Sequence, residues 1–291
     1  KELCDAEGLT YVDLWSKMVE PGTTHINPAY TKDGLHLYPS GYKVWCDEIA
    51  PLVGADCIYE DREFNDCGLN GSFGMRAAAF DMLPLDEDDI VMLGDEMIHG
   101  GEWHELLGSP RVKNRGSCWG FGGPDLQTIQ DELPAIFSSK VSPAMIYLHA
   151  GAAEAARNMP IDTIATRYAR LVDAIKTAAP QSRLSLMSIQ PVYPSHSEIT
   201  DPIELNSRIK AIAEEKGAEY VDIFSPMCNG NRAENRYVKG NYVLGKGYLK
   251  IARTLAASMG LDVVPVLYAT RETAFTGRGN TAEKLATLTI S

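Results

Sequence analysis

Short apolar runs recur along the chain, separated by longer stretches in which apolar residues return every three or four positions. DIVML (Asp89 to Leu93), AMIYLH (Ala144 to His149), RLSLMSI (Arg183 to Ile189) and EYVDIF (Glu219 to Phe224) read as buried strands, with RVKN at Arg111 a weaker one. Between them, DTIATRYARLVDAIKTAAP from Asp162 places Ile164, Tyr168, Leu171 and Ile175 on one helical face behind a carboxylate start. DPIELNSRIKAIAEEKG from Asp201 ends on a glycine, as a helix C-terminus does. Strands alternating with helices predict an α/β domain whose parallel sheet is covered on both faces.

The pattern also repeats. EGLTYVDLWSKM from Glu7 lines up with KGAEYVDIFSPM from Lys216, so that Tyr11 and Tyr220 stand 209 residues apart. Further on, KDGLHLYPSGYKVW lines up with VKGNYVLGKGYLKI, with Gly41-Tyr42 on Gly247-Tyr248 at an offset of 206. Both copies then enter an apolar helix, and TYVDLW reads as a strand like its counterpart. The expected organisation is a C-terminal fragment of one domain over residues 1–55, a linker over 56–87 around NDCGLNGSFG, a complete copy over 88–260, and a Thr-rich tail over 261–291 with no period to assign a fold. The fragment's partner would be an upstream domain of the same kind.

At 291 residues, with 45% hydrophobic and 23% charged residues, the chain has the composition of a soluble globular protein. The balance of 27 basic and 39 acidic residues, net −12, argues against nucleic acid or an anionic membrane as a partner. The start KELCDAEGLTYVDLW lacks signal-peptide features, and no apolar run approaches a membrane span. Six cysteines (Cys4, Cys46, Cys57, Cys67, Cys118, Cys228) form no C-x-x-C pair; Cys57 and Cys67 could bridge or remain thiols.

IVMLGDEMIHGGEWHELL, VKNRGSCWGFGGPDL, YLHAGAAEA and YVDIF fall in the order and spacing of the blocks of the SGNH, or GDSL-type, esterase and lipase family. The chain most resembles that family's carbohydrate-esterase and platelet-activating-factor-acetylhydrolase-like members over residues 88–260. DGLHLYPSGY, in the fragment, is similar to the family's final block. The resemblance implies a flavodoxin-like three-layer fold. It also implies hydrolysis of acylated carbohydrate or another small ester by a serine nucleophile, without a cofactor.

Residue by residue, the complete copy departs from that chemistry. Glu96 stands where the resemblance places the serine, and a carboxylate cannot be deprotonated into an alkoxide. Ala153, in Gly151-Ala152-Ala153-Glu154, takes the place of the oxyanion asparagine, a donor whose loss costs about 2.7 to 4 kcal/mol of transition-state stabilisation. Trp119 holds the place of the oxyanion glycine, with Gly120 one step away. Lys239 and Tyr242 replace the aspartate and histidine of the last block. Asp33 and His36, in the fragment, keep that acid and base at the right spacing. The expectation is an acylesterase-type protein whose complete domain has lost its catalytic residues. The alternative is a glycan-binding or scaffolding module, and a third reading recruits Glu96, His99 and His149 as relocated catalytic groups.

Other candidates have plainer readings beside the chemical ones. Glu96, His99, Glu102 and His104 crowd one helix start but lack metal-ligand spacing, so solvated polarity is expected and no metal is assigned. Ser117 and Cys118 are off the nucleophile turn. His99, Trp103 and His149 are candidate cleft residues, although a strand histidine often belongs to a core and Trp103 and Trp119 could equally pack.

Overall fold

The computed structural model describes residues 1–31, 34–35, 37–55, 79–80, 82–117, 124–191, 200–240 and 242–261. Helices α1 (Glu2–Glu7), α2 (Leu14–Met18) and α3 (Pro39–Val53) come first. Strand β1 (Ile90–Gly94), short helices α4 (Glu96–His99) and α5 (Trp103–Leu106), and β2 (Val112–Gly116) follow. Next are α6 (Leu126–Ile136), β3 (Met145–His149), α7 (Ala152–Ala156), α8 (Ile161–Ala178), β4 (Arg183–Met187), α9 (Pro202–Lys216) and β5 (Glu219–Val221). A 3-10 turn at Ser225–Met227, two small hairpins (β6 Cys228–Asn229 with β7 Arg232–Ala233, and β8 Val238–Lys239 with β9 Tyr242–Val243) and α10 (Gly245–Met259) complete it.

Strands β1 to β5 form one sheet in the order β2-β1-β3-β4-β5, with every pairing parallel. Alternation along each strand divides the core in two. Val91 and Leu93 of β1, Ile146 and Leu148 of β3, and Leu184 and Leu186 of β4 pack with the apolar faces of α6, α8 and α9. Ile90, Met92, Met145, Tyr147 and Met187 point to the other face, where α4, α5 and α10 cover them. The result is the expected three-layer α/β sandwich. The chain order along the sheet reverses between β1 and β3, the point at which open α/β sheets bind ligands beyond the strands' carboxyl ends.

Two expectations need correction. TYVDLW is not a strand in the fragment: Leu14–Met18 is helical, because the Asp13 carboxylate accepts from the Ser16 amide and caps that turn. The linker also ends earlier than its expected limit of residue 87. Phe80, Met82 and Leu85 are buried, and Phe80 and Leu85 belong to the core of the α6 face. Arg115 holds them there, its guanidinium donating to the Leu83 carbonyl at 2.8 Å and lying 5.1 Å from the centre of the Phe80 ring. Among the described residues, no helix is long and apolar enough to cross a membrane. Cys4, Cys46 and Cys228 are free thiols, while Cys57, Cys67 and Cys118 and the tail from residue 262 lie outside the described residues.

Candidate active site at the carboxyl ends of the strands

Register brings three sequence blocks to one edge. Gly94 at the end of β1 is level with Gly116 of β2 on one side and His149 of β3 on the other. The approach is close enough to require glycine: Gly94 has φ +150°, and a Cβ there would sit 1.9 Å from the His149 carbonyl oxygen. The chain then turns through Asp95 into α4. Asp95 is buried, and its Oδ1 accepts from the Met97 amide at 3.1 Å and lies 2.8 Å from His149 Nδ1.

Glu96 is the next residue and the first of α4, exposed at the switch point. Partial burial of its carboxyl and, secondarily, the neighbouring Asp95 charge raise its pKa above the usual carboxylate range. Beside it, Asn114 Nδ2 donates to the carbonyls of Ile98, His99 and Gly101 at 2.9 to 3.2 Å, and Asn114 Oδ1 accepts from the Gly116 amide at 2.8 Å. One β2 side chain thus fixes the loop after α4.

The candidate residues separate on this frame. His149 and Trp103 have no exposed surface, so neither ring lines an open cleft. Trp103 donates from Nε1 to the Ile98 carbonyl at 2.7 Å and meets Tyr248 edge-on, which resolves its reading as packing. His149 Nδ1 faces the Asp95 carboxylate inside the core. His99 is half-buried, with Nδ1 3.4 Å from the Gly116 carbonyl oxygen. Ser117 is buried, with no exposed surface, and its hydroxyl donates to the Glu132 carboxyl. Among the described residues no three His, Cys, Asp or Glu side chains converge as metal ligands, and His104 pairs only loosely with its neighbour Glu105 at 3.8 Å.

Ala153 lies in α7, where its methyl donates nothing. Lys239 and Tyr242 face each other across the β8–β9 hairpin, both exposed. Asp33, His36, Trp119 and Gly120 lie outside the described residues. Between the loop after α4 and the start of α10 is a cavity of about 370 Å³ lined by Gly100, Glu102, Glu105, Leu106, Lys246 and Tyr248. Tyr248 donates to the Met97 carbonyl at 3.0 Å, and burial, helped by Asp95 and Glu96, pushes its pKa up to about 12.

Sequence reasoning missed a set of buried acids beneath the site. Glu132 sits on the apolar face of α6 between Ile129 and Ile136, a signal visible in hindsight as a carboxylate in a hydrophobic stripe. Glu154 of α7 is also buried and accepts from the Leu126 amide at 2.7 Å, joining α7 to α6. Burial raises its pKa, opposed in part by that amide.

Residues 100–243 match the model of the GDSL-like Lipase/Acylhydrolase family. A GDSL-like lipase from Bacteroides thetaiotaomicron is 20% identical over 67% of this chain and 98% of its own, with a TM-score of 0.53. A candidate acylhydrolase from Bacteroides fragilis is 18% identical over 66% of this chain and 98% of its own, TM-score 0.54. A protein described as a candidate platelet activating factor from Streptococcus pneumonia is 17% identical over 63% and 91%, TM-score 0.54. At these identities the likeness of structures speaks for the fold. A search of curated proteins found no match. Family model, blocks and sheet topology agree, and the domain built on this sheet is a GDSL-like lipase/acylhydrolase domain of the SGNH type.

Proposed function

We propose that this acylhydrolase-type domain does not hydrolyse esters and that it acts as a binding module derived from an esterase of small acyl esters of the acetylated-carbohydrate kind. The observation that carries the reading is Glu96. It occupies the turn after β1 at the switch point, where a nucleophilic hydroxyl would be needed, and its carboxylate would repel the oxyanion of an attacked carbonyl. Three further positions support it: Ala153 in place of an amide donor, and Lys239 and Tyr242 in place of an acid and a base. Tyrosine, with a reference pKa near ~10, is a poor base at neutral pH.

The chain should turn over nitrophenyl acetate no faster than buffer and should not be labelled by a serine-reactive phosphonate. Glu96→Ser alone should leave it inactive, because no base follows from β8–β9. Turnover well above buffer that disappears in Glu96→Gln would refute the reading.

A further inference from the structure

Among the described residues, 1–31 and 37–55 repeat many of the caps, bridges and turn hydrogen bonds at the end of the five-stranded domain. Helices α1 and α9 both stop at a left-handed glycine, and the next amide returns five residues: Leu9 to the Cys4 carbonyl and Ala218 to the Ala213 carbonyl, each at 2.8 Å. The Asp13 carboxylate accepts from the Ser16 amide at 3.1 Å, and Asp222 from the Ser225 amide at 3.0 Å. Bridges Val19–Ile26 and Thr31–Leu37 answer to pairs Cys228–Ala233 and Val238–Val243. The Tyr38 amide donates to the Tyr30 carbonyl and the Leu244 amide to that of Tyr237, both at 2.8 Å. A Cβ on Gly41 would come 3.1 Å from the Tyr30 oxygen, and one on Gly247 2.4 Å from the Tyr237 oxygen. Helices α3 and α10 are each 15 residues long and end at left-handed Gly54 and Gly260.

What differs is the cover. Ile251, Phe224 and Met259 are 1%, 9% and 7% exposed beneath the sheet and helices of their domain. Their counterparts Trp45, Trp15 and Val53 are 44%, 56% and 70% exposed. Ile49, the counterpart of fully buried Leu255, is only half-buried. The backbone of Thr10–Asp13 joins no ladder, whereas Glu219–Val221 pairs with β4.

We infer that residues 9–31 and 37–55 form an interaction surface whose occupant is an α/β body of this same fold, equivalent to the described residues of 79–217. Its open sheet edge takes Thr10–Asp13 as a last strand, and its apolar face takes Trp15, Trp45, Ile49 and Val53. The occupant is read from the complete copy, where the same scaffold meets that body. A second copy of this chain fits worse: its β4 edge is already taken by β5, and α3 packed on α3 would leave the Thr10–Asp13 backbone unpaired. The inference is independent of the catalytic reading, since it uses none of Glu96, Ala153, Lys239 or Tyr242.

Two measurements test it. Sedimentation of the chain should give a monomer at all concentrations; a dimer dissolved by Trp45→Glu would overturn the inference in favour of a second copy. In a register-matched extension, residues 79–216 are placed directly ahead of Gly8, so that the polypeptide runs 79–216 and then 8–291. Amide exchange over residues 40–55 should slow at least tenfold relative to the parent chain, and a second cooperative calorimetric transition should appear. Ile49→Asp in the extended chain should abolish both. Unchanged exchange, or slowing that Ile49→Asp does not alter, would overturn the inference.

Discussion

Asp95 and His149 are 54 residues apart in the chain and share a hydrogen bond sealed from water. Removing one member of such a pair leaves the other buried with its hydrogen bond unmade, which costs about 1 to 3 kcal/mol. His149→Phe should therefore lower stability in urea unfolding by an amount of that order. Adding Asp95→Asn should recover part of it, because asparagine still accepts from the Met97 amide. Glu154 makes a pH-dependent prediction. Its folded pKa is raised from 4.5, chiefly by burial, so the native state holds the proton more tightly than the unfolded one. That contribution is complete at low pH and is lost as pH rises through the folded pKa. Glu154→Gln should match the parent at low pH and become the more stable of the two as pH rises through the folded pKa of Glu154. A constant difference across that range would show that the carboxyl titrates normally.

At the scale of elements, Gly94 fixes how close β1 and β3 can lie. Gly94→Ala should destabilise by more than about 4 kcal/mol and yield insoluble protein, since the clash is with backbone that cannot turn aside. The positions of β1, β3 and β4 were legible because each is an apolar run in a sheet covered on both faces, β2 with its Lys113, Asn114 and Arg115 was legible only weakly, and Gly217 marked the end of α9. TYVDLW misled because a strand needs a neighbour. The same Tyr-Val-Asp pattern pairs with β4 in one copy, while in the other the Asp13 cap passes directly into helix. The turn Gly94-Asp95-Glu96 was legible from motif order. Its contact with His149 was not, because it depends on the register between two strands separated by α4, α5, β2 and α6. Trp103 could not be sorted between surface and core until the carbonyl of Ile98 was seen to meet its indole nitrogen.

For the molecule as a whole, the core sets the boundary of the folding unit. A piece spanning 79–261 should melt cooperatively near the domain's own transition. A piece spanning 88–260 lacks Phe80, Met82 and Leu85 and strips the cover from Arg115. At about 1.5 to 3 kcal/mol for each large buried side chain, it should be markedly less stable, which thermal unfolding of the two pieces would reveal. Equal stability would place the boundary later. The same division of residues has a longer consequence. Glu96, Ala153, Lys239 and Tyr242 belong to neither hydrophobic cluster, while strand bodies and helix faces fill both. Inheritance can therefore rewrite the rim while the interior passes on unchanged, so a lineage can keep this architecture long after it has ceased to perform, or has exchanged, the reaction for which it was first selected.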